Sequence, residues 1–313
     1  MKIREQYVLP KDKEDKLDRA KKLEWVSIFF LLSITVIMYI TMGSSQAMKT
    51  AWVEDVLSLV PPISFLIALK YRNKPPDENF PYGYKRAVQI AFLCAATALL
   101  FFGIYLLYEA VKNLTERIHP TIGLVKIFGL HIWMGWIMIA ALIYSAIPPL
   151  ILGRMKLPLA KELHEKTLYT DASMNKADWI TALAAVFGIL GIGIGWWWAD
   201  SVAAGVISLD ILKDGVTNMK RVIADLMDRR PTTVESGDPE DIDELIKNEL
   251  IKLSWVLDVD VRLREEGHVF TGEIFIIPDN ETGIIDKLKE ASELAASLDW
   301  RIHNVIALPV REL

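Results

Sequence analysis

Leu163–Ser201 reads LHEKTLYTDASMNKADWITALAAVFGILGIGIGWWWADS. Most of it is apolar enough to cross a bilayer, yet Asp171, Asn175 and Asp178 stand near the start of the run. Spacings of four and then three residues put them on one face of a helix. A carboxylate turned toward hydrocarbon is costly, so an acidic face inside a membrane helix points to a functional site. The plainer reading leaves all three solvated at the cytoplasmic interface.

The rest of the chain fits a membrane setting. Of 313 residues 52% are hydrophobic, too many for an ordinary soluble domain and enough for several spans beside a soluble part. Six spans are expected, at about 25–43, 49–71, 87–111, 127–151, 172–197 and 199–225, each needing roughly 20 apolar residues. The first 23 residues are polar, and no cleavable leader is expected. The net charge of −5 without a basic tail argues against nucleic acid as a partner. The single cysteine, Cys94, excludes an internal disulfide and a Cys-rich metal cluster. Lys70, Arg72, Lys74, Lys85, Arg86, Arg154, Lys156, Lys161, Lys166, Lys220, Arg221, Arg229 and Arg230 gather in connections on one side. By the positive-inside rule that side, with both termini, is cytoplasmic, in a multi-pass cell-membrane protein. Trp196, Trp197 and Trp198 then fall at the outer interface.

Residues 231–313 change character. Ile242, Leu245, Ile246 and Leu250 have helical spacing, and Leu257, Val259, Val261 and Leu263 alternate with charged residues as in a half-wet strand. Glu265–His268 reads as a turn into a second strand, residues 281–298 as a helix and 301–309 as a third strand. The expected architecture is an all-α six-helix transmembrane bundle in residues 1–230. A cytoplasmic α+β domain of order αββαβ, like a truncated ferredoxin-like unit, follows in residues 231–313. So small a domain gains from dimerisation, which would bury more of its core.

Polar groups interrupt the spans. In the second, Glu54 and Ser58 are four apart, with Asp55 beside Glu54. Oxygen donors there, meeting Asp171 and its neighbours, could enclose a hard divalent cation; His and Cys would instead favour zinc. The plainer reading has Glu54 and Asp55 solvated near the outer end of the span. Pro61-Pro62 and Pro148-Pro149 should break or kink spans two and four. Asp200 is expected at the outer interface, with Asp210 and Asp214 deeper in span six. The lone histidines read as ordinary surface or core residues.

Together these features resemble the cation diffusion facilitator family of metal:proton antiporters. The most specific match is Pro75-Pro76-Asp77-Glu78-Asn79-Phe80-Pro81-Tyr82-Gly83-Tyr84-Lys85-Arg86, similar to the family's loop after span two, with Phe80 where a His is usual. Trp198-Ala199-Asp200-Ser201 and Asp228-Arg229-Arg230-Pro231 also resemble the family's sixth span and its exit. The resemblance implies a homodimeric transporter in the lipid bilayer that exports a divalent cation in exchange for protons. Counting back from the loop puts Glu54 and Ser58 at the family's ligand positions on span two. On span five it puts Asp171 at the second carboxylate and Thr167 at the first ligand. The implied metal set is Glu54, Asp55, Ser58, Asp171, Asn175 and Asp178. This all-oxygen set favours Mn²⁺ or Fe²⁺ over Zn²⁺, with Co²⁺ also open. His268 and His303 are isolated candidates for a regulatory metal site in the soluble part. Two other classes remain in view. A membrane hydrolase could use Asp171 and Asp178 as acid and base, although no HExxH motif is present. A protein that no longer transports could use its αββαβ domain as a sensory or interaction module.

Overall fold

The computed structural model describes residues 9–313 except 73, 75, 85, 128, 236 and 268, and leaves the side chains of 72, 88, 91, 127 and 176–178 undescribed. His268 therefore lies outside the described residues, as does the side chain of Asp178. The helical part consists of α1 (Lys11–Thr41), α2 (Gln46–Leu57), α3 (Val60–Arg72), α4 (Ala87–Thr115), α5 (Met134–Glu162), α6 (Lys166–Gly193) and α7 (Ala199–Leu226).

Among the described residues five stretches are long and apolar enough to span a bilayer: Lys11–Thr41, Gln46–Tyr71, Phe92–Thr115, Met134–Glu162 and Lys166–Gly193. The chain is thus a multi-pass membrane protein. The sixth expected span, α7, has the length, but Asp200, Asp210, Lys213 and Asp214 interrupt its apolar run.

The fourth span starts later than expected. Leu124–Ile127 (β1) and Leu130–Trp133 (β2) pair antiparallel, with Leu124 opposite Trp133 and Gly129 at φ 84° in the turn. These apolar residues look like helix in sequence but satisfy their backbone as a hairpin, so α5 begins only at Met134. The two proline pairs also behave differently. Pro61-Pro62 stand in the first turn of α3, just after the break between α2 and α3 at Ser58 and Leu59, whereas α5 is a single helix through Pro148, Pro149 and Pro158.

Ile34, Met38, Met48, Leu142, Ile189 and Ile207 centre the bundle core, joining α1, α2, α5, α6 and α7. Gly188 sets how closely α6 approaches its neighbours: a Cβ there would lie 3.0 Å from the Ala203 Cβ and 3.2 Å from that of Ala47. Small residues at such crossings let helices pack in lipid, where apolar burial alone gives no preference for a neighbour.

The remaining elements are α8 (Ile242–Leu250), β3 (Val256–Glu266), β4 (Val269–Pro278), α9 (Ile284–Leu298) and β5 (Ile302–Pro309). The sheet runs β3-β4-β5, antiparallel between the first two (Val261 opposite Ile274) and parallel between the last two (Gly272 opposite Val305). A full ferredoxin-like unit has four strands; among the described residues three stand in this sheet. Ile246, Leu250, Phe270, Ile274, Ile276, Ala291 and Ala295 form a separate core for this unit. Leu257 is a correction: a register shift between Val256 and Asp258 buries Val256 and turns Leu257 outward. Leu245 is also exposed, off the buried face of α8.

Candidate cation site

The second span is built to be broken. Ser45 caps α2 by accepting the Met48 N–H at 3.2 Å. Asp200 arrives from the start of α7 to complete the cap. It accepts the Ser45 hydroxyl at 2.6 Å, the Gln46 N–H at 2.6 Å and the Ala47 N–H at 3.2 Å. This fully buried carboxylate is satisfied by α2's own unpaired amides and lies at the positive end of its dipole. At the other end Ser58 is the C-cap, its N–H still bonded to the Glu54 carbonyl at 2.8 Å. Pro61 and Pro62 have no N–H to return to the carbonyls of Leu57 and Ser58, so the ladder stops there. Backbone oxygens released at membrane depth persist where they line a cavity or are buried in protein.

Glu54 sits one turn before this break, on the same helix face as the buried Ser58. Its Oε1 accepts the Thr181 hydroxyl of α6 at 3.1 Å. Asp55 follows, half-buried. Asp178 precedes Thr181 by three residues, about one turn of helix, so its backbone lies at the level where Glu54 meets α6.

Asp171 is at another height. Its Oδ2 accepts Lys156 Nζ from α5, and the same ammonium reaches Glu24 Oε2 of α1 at 2.8 Å. Asn175 Nδ2 also donates to Asp171 Oδ2, at 3.2 Å. Glu24 and Lys156 are wholly buried, and Asp171 and Asn175 nearly so. Ten residues separate Asp171 from Thr181, about 15 Å of helix at 1.5 Å per residue. The structure therefore groups Glu54, Ser58 and the 178–181 turn at one level, and Asp171 and Asn175 at another. It does not bring Glu54 and Asp171 together. Among the described residues no cluster of three or more His, Cys, Asp or Glu is placed to hold a metal ion.

Glu24, Lys156 and Thr181 were not singled out from the sequence as site residues. Glu24 and Lys156 look like ordinary charges at the ends of apolar runs, and the only available signal was their closeness to those runs.

The bundle continues into the α/β unit through the turn between α5 and α6. His164, at φ 51°, is buried against the Phe270 ring, with Nδ1 3.0 Å from Arg301 Nη1 and 3.5 Å from Glu240 Oε1. Lys166 Nζ donates to Glu265 at 2.5 Å. Burial pushes the Glu265 carboxyl up, but the hydrogen bond with His164 and the charge of Lys166 hold it below its ordinary range. In the loop after α3, Asp77 accepts the Tyr84 hydroxyl and the N–H groups of Asn79 and Phe80, and Gly83 takes φ 81°. Hydrogen bonding to Tyr84 and to the Phe80 N–H holds Asp77 below its ordinary range. Arg86 closes this loop onto the end of α7, pairing with Asp228 and donating to the Leu226 carbonyl at 3.0 Å.

The family model for the cation efflux transmembrane domain matches residues 23–227, from α1 to the end of α7. The chain belongs to this cation efflux family, whose resemblance was noted above, and it is a transporter rather than an enzyme. It is 27% identical over 204 residues to the manganese efflux system protein MneS of Bacillus subtilis, covering 64% of this chain and 66% of that protein. It is 27% identical over 234 residues to MneP, a manganese efflux system protein of the same organism, covering 72% of each. An uncharacterised transporter of Methanocaldococcus jannaschii is 26% identical over 277 residues, covering 88% of this chain and 89% of that protein.

Proposed function

We propose that the chain exports a divalent metal cation from the cytoplasm in exchange for protons, with Mn²⁺ the preferred substrate among Mn²⁺, Fe²⁺, Co²⁺ and Zn²⁺. Glu54, Asp55 and Ser58 at the break of the second span would hold the ion together with Asp178 of α6. Asp171 and Asn175 would act one level away. The observation that carries this reading is the bond between Glu54 and Thr181, because it sets the second-span carboxylate against the 178–181 turn. The donor set is oxygen throughout, as a hard cation prefers, and the names of the two manganese efflux relatives agree with that chemistry. Carboxylates must be deprotonated to bind metal, so loading the ion releases protons and couples the two fluxes. The broken second span gives a place for the bundle to rock around the ion.

In this reading α7 is the sixth span, residues 1–230 form the transport domain, and residues 231–313 form a cytoplasmic domain through which a homodimer assembles. Both termini are cytoplasmic. The test is uptake into proteoliposomes under a pH gradient with Mn²⁺, Fe²⁺, Co²⁺ and Zn²⁺ offered in turn. Mn²⁺ uptake that depends on the gradient and on both Glu54 and Asp178 is expected. Absence of any divalent flux, with membrane assembly intact, would favour the alternative of a sensory or interaction module.

A further inference from the structure

The end of the bundle that faces the α/β unit encloses a cleft of about 70 Å³. Leu69 of α3, Phe92 of α4, Thr170 of α6 and Val222 of α7 form its walls. Its floor is not part of the bundle. Glu265, Glu266 and Gly267, at the turn between β3 and β4, stand across it. Glu266 lies opposite Val269 and Gly267 takes φ 73°, which glycine adopts without strain, so the hairpin ends in a tight tip. Thr170 and Thr181 are eleven residues apart on α6, about three turns, and share one face of it. The cleft therefore opens on the side of α6 that leads, over about 17 Å of helix, to the bond between Thr181 and Glu54.

Polar ties hold the turn there. Lys166 Nζ, at the start of α6, donates to Glu265 Oε2 at 2.5 Å and to the Thr232 hydroxyl. The Thr232 N–H donates to the same carboxylate oxygen at 3.3 Å. His164 adds an edge-on ring contact with Phe270, next to the turn. Among the described residues the apolar cores of the bundle and of the α/β unit have no member in common. Two units joined by a polar interface rather than a shared core are free to move against each other.

We propose that the β3–β4 turn is a lid over the mouth by which the divalent cation enters the bundle, latched by the pair Lys166–Glu265. The inference rests on the transport reading above and adds how the soluble unit governs access to the ion's route. With the latch made, the turn closes the cleft from the side of the α/β unit. Release of Glu265 from Lys166 lets the turn swing out and leaves Thr170 at an open mouth. A lid that opens at each turnover needs ties that break and re-form together, and a charged pair with its hydrogen bonds supplies them.

The test is the rate at which a membrane-impermeant maleimide labels Thr170→Cys, in a Cys94→Ser background, in full-length protein in inside-out vesicles. Labelling is expected to be slow with the latch intact. Glu265→Gln removes a charged hydrogen bond and should speed labelling at least about ten-fold. Lys166→Gln breaks the same latch from the bundle side, so it decides the matter should Glu265→Gln disturb the α/β unit. Equal rates with and without the latch overturn the lid. In a second measurement, Gln89→Cys and Glu266→Cys, both on the cleft, are joined by a reducible bifunctional thiol reagent. Mn²⁺ uptake should stop on cross-linking and return on reduction; uptake that continues in the cross-linked protein overturns the lid as well. Protein that moves no Mn²⁺ before cross-linking overturns the transport reading instead, whereas the labelling rates still test the lid by themselves.

Discussion

Two levels of α6 bear acidic residues, and they are treated differently by their surroundings. At Asp171 the helix meets Glu24 and a buried lysine, so the protein supplies its own cation. At the 178–181 turn it meets Glu54 beside a helix whose hydrogen-bond ladder has been interrupted by two prolines. The first level is charge-paired and joins three continuous helices. The second collects oxygens at the end of a shortened helix, and it is there that the proposed function has an ion exchange its water for protein ligands. A buried carboxylate is therefore not by itself a sign of an ion site, since the chain can provide its counter-charge, as Lys156 does for Asp171.

The largest expected effect is at the paired level. Lys156→Met leaves two buried carboxylates facing each other and should lower unfolding stability by about 3–5 kcal/mol, the usual result of breaking a buried ion pair. Glu24→Gln added to it should recover part of this. Thermal unfolding in detergent checks both, and a full-stability Lys156→Met protein would erase the contrast between the levels. Next comes the site level: Glu54→Gln should cut the rate of Mn²⁺ uptake by at least about 100-fold, more than the loss of an outer-shell partner. Its folding should change by far less than that of Lys156→Met, which melting curves on the same preparations will show.

Asp200→Ala tests whether the break is braced from its other end. It removes a carboxylate that accepts three hydrogen bonds at the start of α2, and a loss of about 1–2 kcal/mol is expected from a missing cap. Hydrogen exchange confined to the first turns of α2 should rise; uniform protection would mean α2 is held elsewhere. The smallest effect is on the α/β unit. The folded pKa of Glu265 is depressed, so its contribution is present above the ordinary value of 4.5 and is lost as pH falls below it, through the folded pKa. Exchange of amides in 231–241 should therefore accelerate on acidification below that value, and Glu265→Gln should flatten the dependence.

Much of this was legible from residues. Alternation of apolar and charged positions located β3, the turn after it pointed to β4, and helical spacing located α8 and α9. The bulge that turned Leu257 outward was not legible, because a register shift depends on the partner strand. The hairpin at 124–133 hid inside an apolar run, where length and composition do not distinguish a strand from the start of a helix. In the candidate site the proline break could be read directly, since proline lacks the donor that a continuous ladder needs. The height of the partner carboxylate could not. Asp171 and Asp178 are seven residues apart, nearly two whole turns, so they share a face and differ only in level. Periodicity reports faces, and only the packing of α2 on α6 reports levels.

Anomalous scattering from Mn²⁺-soaked crystals of the wild-type protein decides between those levels. A peak within about 2.5 Å of a Glu54 oxygen, shared with Asp178, is the expected result. A peak bound by Asp171 with Glu54 remote from it would contradict the reading of the second-span break as the place where the ion is held.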